Sequence, residues 1–263
     1  MTDLQPSTYT FGDNDLAAER LRLLAAAYEP TSRAFIGRLA REPPRVAIDL
    51  GCGLGYTTAL LQAKTGAALT TGLDSSPRFL AHAWRRSPHA VAFAEHDVTR
   101  LPFPAPPADL IYGRFILTHL ANAHATLERW ADGMAPRGRL ALEEVDTLAA
   151  DDPTLTRYYA LVEAMQAARG QRTYVGRDLC ALPASSSWRV ERADDVPIAL
   201  PAATAARLHA LNLRTWRSDP FIAATVDADE LDDLGDALDD LVAGRRTAAP
   251  VRWRLAQVVL RRR

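Results

Sequence analysis

The feature that most constrains this chain is the stretch VAIDLGCGLGYT, residues 46–57. A short apolar run, VAIDL, feeds directly into Gly51, Gly53 and Gly55 at alternate positions. Five such residues suit a strand buried on both faces. A glycine turn at its end lets a ligand approach the backbone where a side chain would exclude it. A Walker loop would need lysine and then serine or threonine after the last glycine, but Tyr56 and Thr57 stand there. The dinucleotide fingerprint spaces its second and third glycines by three, and here the spacing is two. Asp49, two residues before the first glycine, would also oppose a phosphate.

The same strand, turn and helix rhythm repeats downstream. Strands are expected at 45–50, 68–74, 91–97, 108–114 and 138–146. Helices are expected after them, beginning near Tyr56 (stopped by Gly66), over 76–87 and over 116–134. Such alternation predicts a doubly wound α/β sheet, mostly parallel, with helices on both faces. Before it, apolar residues at helical spacing (Leu16, Leu21, Leu24, Tyr28) predict a helix capped by Asp15. Pro30 is expected to break that helix, and a second short one would carry Phe35, Ile36 and Leu39. Beyond residue 146 the pattern gives helices at 153–170, 175–182, 202–216 and 227–244, with two further strands at 187–200 and 249–262. The chain thus divides into an N-terminal helical cap (1–42), a ligand-binding core (43–146), and a remainder (147–263) holding helical lid insertions and the last two strands.

Composition narrows the function. The formal net charge of −1 gives no broad attraction to nucleic acid or an anionic membrane. Two cysteines support neither a metal cluster nor a disulfide framework. The start of the chain lacks the pattern of a signal peptide, and no run approaches the length of a membrane span. A cytoplasmic setting is the expectation. The acid-rich segment 229–240 lacks the central turn glycine and alternating ligands of a calcium loop and reads as a solvated helix face.

With these residues in view, the chain resembles the class I S-adenosylmethionine-dependent methyltransferases. DLGCGLG matches their first motif, and four further segments follow in order: GLDSS, AEHDVTRLPF, ADLIYGRFILTHL and LERWADGMAPRGRLALEE. Arg137 replaces the first glycine of the usual Pro-Gly-Gly segment. The resemblance is tight over about residues 42–146 and looser in the leader, where it is similar to bacterial small-molecule methyltransferases. It implies a Rossmann-like, seven-stranded, mostly parallel sheet with an added helical lid, S-adenosylmethionine as cofactor, and no metal. A cationic sulfonium with a phosphate-free adenosine suits acidic residues and a glycine loop.

The implied donor site comprises Asp49, Gly51, Gly53, Asp74, Ser75, Asp97, Val98, Arg114 and, from the leader, Tyr9. In the family an acidic residue at the position of Asp74 grips the ribose hydroxyls, and the positions of Asp97 and Val98 meet the adenine. Asp49 can equally satisfy the loop, and Arg114 can bind donor, substrate or a rim carboxylate. His119, Glu144 and Asp146 are the catalytic candidates. His119 follows the fourth strand, where a histidine can also serve the fold alone. Glu144 and Asp146 end the fifth strand, facing either the acceptor or a neighbouring loop.

The Asn/Asp-Pro-Pro-aromatic signature of nucleobase amino methylation is replaced by IYGRF. No nucleic-acid or membrane partner is therefore expected, and a homodimer is left open. The acceptor is expected to be a small aromatic or apolar molecule of secondary metabolism, methylated first of all on oxygen, with nitrogen or carbon as alternatives. Tyr158, Tyr159, Met165, His209 and Trp216 are offered to its chamber, with packing in the helical core as the alternative for each. A protein or nucleic-acid methyltransferase and a non-catalytic donor-binding module are the rival readings.

Overall fold

A computed structural model describes residues 14–39, 42–87 and 90–263. Tyr9 and the rest of the leader lie outside these described residues. The elements are α1 (Asp15–Ile36), β1 (Val46–Leu50), α2 (Tyr56–Thr65), β2 (Leu69–Asp74), α3 (Pro77–Arg86), β3 (Val91–Glu95) and β4 (Ala108–Arg114). Then follow α4 (Ala123–Arg129), β5 (Met134–Ala149), α5 (Pro153–Ala168), α6 (Gly176–Leu179), β6 (Trp188–Leu200), α7 (Ala202–Trp216), α8 (Pro220–Thr225), α9 (Ala228–Val242) and β7 (Val251–Arg262).

The strands form one seven-stranded sheet in the order β3-β2-β1-β4-β5-β7-β6. β1 to β5 are parallel, and β7 runs antiparallel to both of its neighbours. The Rossmann-like, mostly parallel sheet read from the sequence is the observed fold. Alternation of side chains along each strand divides two cores. Ile48, Leu50, Leu140, Leu142 and Val258 pack with Leu127, Trp130 and Trp188 on one face. Ala47, Tyr112, Ala141 and Val259 pack with Phe35, Ile36 and Leu61 on the other. A third core joins α5, α7, α8 and α9 to Tyr28 of α1 and to Trp253 and Leu255 of β7. This helical layer stands over the carboxyl-terminal edge of the central strands, where α/β sheets bind ligands.

Three local expectations are corrected. Asn14, not Asp15, caps α1, its Oδ1 accepting from the Ala17 amide at 2.9 Å. Pro30 lies on an exposed face of α1, so the helix runs on through it to Ile36. The single helix expected over 116–134 is instead a 3₁₀ turn (Leu117–His119), α4, and a second 3₁₀ turn (Trp130–Gly133). Tertiary partners account for the break. The carbonyls of Thr118 and His119 accept from the side-chain amides of Gln166 and Gln171, at 3.1 and 2.8 Å, in place of amides one turn on.

Trp188 ties β6 to α4: it is fully buried and its indole N–H donates to Leu127 O at 2.8 Å. Trp188→Ala is expected to lower unfolding free energy by about 3–5 kcal/mol, the scale for a large aromatic deleted from a core. Denaturant unfolding with a fixed m-value checks this, and a loss under about 1 kcal/mol would show that the site collapses around the gap.

Candidate functional site

A cavity of about 890 Å³ opens beneath the helical layer, within the range of small-molecule sites. One end is the glycine loop and the ends of β2 and β3: Gly51, Gly53, Asp74, Ser75, Asp97 and Val98 all line it. The other end is built by α1, α5, α7 and β7, through Arg20, Tyr28, Tyr158, His209, Asn212 and Trp253.

The loop takes its form from three left-handed glycines. At Gly53, with φ of +51°, an added Cβ would meet only Leu21 Cδ1, at 3.6 Å. The missing side chain is therefore space on the cavity wall. At Gly51 the need is packing, since a Cβ would sit 2.6 Å from Ile116 Cδ1. Asp74 closes this end. Its Oδ2 accepts the Gly53 amide at 2.8 Å, and its Oδ1 accepts the Ser76 amide at 2.9 Å. A carboxylate carries lone pairs enough on its two oxygens to accept two vicinal hydroxyls as well as backbone amides. Asp97 sits in a tight turn, with Oδ1 accepting from both the amide and the hydroxyl of Thr99 at 2.9 and 2.7 Å. Val98, buried beside it, offers an apolar surface to a flat ring.

Asp49 has a different place from the one expected. It is buried, does not line the cavity, and its Oδ2 accepts the hydroxyls of Thr57 and Thr58 at 2.7 and 2.6 Å. Burial pushes its carboxyl up to about 6, with the two threonines opposing. It pins the start of α2 beneath the glycine loop. Arg114 lines the cavity and donates to Ser32 Oγ at 3.0 Å, so a contact with α1 takes the place of a rim salt bridge.

The catalytic candidates separate. His119 lines the cavity, but burial, joined by the charge of Arg20, lowers its pKa to about 3. Glu144 is fully buried and absent from the lining; its Oε1 accepts the Ile116 and Leu117 amides at 2.9 and 2.8 Å. It is a cap for the turn that carries Phe115 and His119, because alternation sends it under that turn while Glu143 goes to Tyr112 and Gln257 on the opposite face. Burial pushes the Glu144 carboxyl up to about 8. Asp146 also lies away from the lining, held by Thr147 Oγ1 at 2.9 Å and by the Arg177 guanidinium at 3.3 Å. A register shift between Val145 and Thr147 removes it from simple alternation.

Several lining residues went unread in the sequence. Arg20 is 6% exposed and occupies a position on the inner stripe of α1, while Leu16 is exposed. Phe115 holds a left-handed φ of 56° and packs edge-on against Tyr28, at 4.9 Å between ring centres. Asn212 follows Ala205 and His209 on the buried side of α7. Polar residues within an apolar helical stripe were the available signal for Arg20 and Asn212. The strained Phe115 leaves no trace in sequence. Of the expected chamber residues, Tyr158 and His209 reach the cavity, whereas Tyr159, Met165 and Trp216 belong to the helical core behind it.

Comparison with known proteins agrees with this geometry. A family profile described as a methyltransferase domain matches residues 47–138, from β1 through the beginning of β5. Over that span the chain carries a methyltransferase domain of the class I S-adenosylmethionine-dependent kind. Among curated methyltransferase relatives, it is 37% identical over 178 residues to a trans-aconitate 2-methyltransferase of Methylobacterium radiotolerans, covering 67% of this chain and 63% of that one. It is 40% identical over 144 residues to the protein of the same name from Methylobacterium nodulans, covering 55% of each. The chain thus spans somewhat over half the length of these relatives. A methyltransferase structure from Bacillus halodurans superposes with a TM-score of 0.61 at 12% identity, covering 88% of this chain and 98% of that one. A phosphoethanolamine N-methyltransferase from Haemonchus contortus, solved with S-adenosylhomocysteine, gives 0.53 at 14% identity, covering 89% and 56%. At such identities these two structures speak for the methyltransferase fold alone. Among the described residues no helix is long and apolar enough to cross a membrane.

Proposed function

We propose that the chain transfers the methyl group of S-adenosylmethionine to a carboxylate oxygen of a small organic acid. The observation that carries this reading is one continuous cavity joining Asp74 and the glycine loop to the buried Arg20. The relatives named trans-aconitate 2-methyltransferases support an acid as acceptor. An acid replaces the aromatic or apolar acceptor expected from the tyrosines, since the buried Arg20 guanidinium and the imidazoles of His119 and His209 in the wall suit a polar, anionic acceptor better.

The donor site fits its cofactor through this chain's own atoms. Asp74 accepts the ribose hydroxyls, Val98 and the Asp97 turn border the adenine, and Gly53 leaves room for the methionine portion. When bound, S-adenosylmethionine supplies an electrophilic methyl on a sulfonium. The protein's work is to align the acceptor oxygen opposite that methyl and keep water away. Arg20 attracts and orients the carboxylate, and Tyr28 and Phe115 shield the site. A carboxylate arrives already ionised, so no general base is required. This agrees with the state of His119 and His209, both lowered to about 3 by burial and by the Arg20 charge. His119 is accordingly proposed as a wall residue, and Glu144 as a positioning residue.

The test is incubation with methyl-labelled donor and trans-aconitate, followed by mild alkaline hydrolysis. Label in an alkali-labile ester is the expected product. Label in a stable product from an amine or phenol panel, with none in acids, would overturn the carboxylate assignment. Failure to bind S-adenosylhomocysteine would overturn the donor site itself.

A further inference from the structure

The helical end of the cavity carries a polar group that methyl transfer does not use. Tyr158 on α5 and His209 on α7 stack with ring centres 4.1 Å apart and an interplanar angle of 24°. Asn212, one turn after His209, donates from Nδ2 to Tyr158 Oη at 2.7 Å. All three are buried and line the cavity. Asn212 Oδ1 is buried with no hydrogen-bond partner among the described residues.

Hydrogen counting shows what this group offers. In the arrangement above, Tyr158 Oη accepts from Asn212, which leaves its own proton to donate elsewhere. If the amide is exchanged end for end, Tyr158 donates to Oδ1, and the amide N–H faces another acceptor. Either way the pair presents a hydrogen. His209 adds another. The Trp253 indole N–H donates to Tyr159 Oη at 2.9 Å, and His209 Nε2 lies 3.3 Å from the same oxygen; in the tautomer whose Nε2 accepts, Tyr159 is the donor. The neutral ring then holds its hydrogen on Nδ1. The positive charge of Arg20 acts on Tyr158 and His209 alike. Carboxylates line the cavity only at Asp74, Glu95 and Asp97 among the described residues, at the ends of β2 and β3. The acidic groups of the wall are therefore confined to that end.

This group is also remote from the donor grip. Asp74 ends β2 and Trp253 lies in β7, four strand steps across the sheet, or about 19 Å at the usual strand spacing. We propose that Tyr158, His209 and Asn212 form a second carboxylate subsite, which holds a carboxylate of the acceptor other than the one methylated. The subsite makes the enzyme selective for acids with two or more carboxylates. It rests on the organic-acid reading above.

Calorimetry on protein saturated with S-adenosylhomocysteine tests it without turnover, using trans-aconitate against crotonate, a monocarboxylate with the same kind of double bond. Wild type is expected to bind trans-aconitate about ten-fold or more tightly than crotonate. Tyr158→Phe removes a donor, and Asn212→Asp sets a like charge against the ligand. Both are expected to erase most of that preference while S-adenosylhomocysteine affinity, which serves as the folding control, is retained. Equal affinity of wild type for the two acids, or a preference unchanged in both folded variants, would overturn the subsite. Label transfer to trans-aconitate with such a result would sink the subsite alone. Neither acid bound nor methylated by donor-competent protein would sink the organic-acid reading with it.

Discussion

Asp74→Ala is expected to weaken S-adenosylhomocysteine binding by about 10- to 100-fold, the range for losing hydrogen bonds to a charged acceptor. The loss has two sources. The carboxylate that accepts the ribose hydroxyls disappears, and the Gly53 and Ser76 amides lose the acceptor that ties the loop to the end of β2. Titration calorimetry gives the affinity, and a thermal melt without ligand reports the second source separately. An unchanged affinity in a folded variant would remove Asp74 from the donor site. Turnover at saturating donor should fall far less than donor affinity, because Asp74 acts on the adenosyl end rather than on the methyl.

The second large effect is at Glu144. Glu144→Ala leaves the Ile116 and Leu117 amides buried without an acceptor, at about 1–3 kcal/mol for each, and is expected to loosen the turn that positions Phe115. Glu144→Gln keeps an oxygen for both amides and separates capping from acid–base chemistry. As a positioning residue it should keep turnover within about ten-fold of wild type, whereas loss of a general base costs typically 10²–10⁴-fold.

The pH dependence of stability gives an independent readout. The Glu144 carboxyl is raised from 4.5 to about 8, chiefly by burial. The folded state therefore holds the proton more tightly than the unfolded state. Stability from this group is fully present below about pH 4.5 and is lost as pH rises to about 8. At about 1.4 kcal/mol per pKa unit the change is on the order of a few kcal/mol. Subtracting the Glu144→Gln unfolding free energies from those of wild type should expose that decline. Parallel curves across the window would show that Glu144 is ionised in the fold and would revive its candidacy as a base.

How much of the site was legible depended on how local its physics is. The glycine loop, Asp74 and the Asp97–Val98 pair sit where strands end, and their chemistry is written within a few residues of one another. Glu143 and Glu144 are adjacent in the chain, and strand alternation sends them to opposite faces. Which face held ligand and which held a backbone turn depended on the 3₁₀ turn at Leu117–His119, a partner far off in sequence. The same holds for the helix expected over 116–134. Its local pattern was helical, but Gln166 and Gln171 took the carbonyls that would have extended it.

By itself the sequence determined the sheet, its parallel core and the methyltransferase family, because strand burial, turn glycines and helical spacing are periodic properties of neighbouring residues. The tertiary structure alone decided which side chains meet in the cavity. Arg20, Tyr158, His209 and Asn212 come from three helices, α1, α5 and α7, that meet only in the folded chain, and no spacing along the chain encodes their convergence. Burial also set protonation: the imidazoles of His119 and His209 near pKa 3 and the Glu144 carboxyl near 8 are consequences of desolvation, a property of the folded surroundings rather than of the residue.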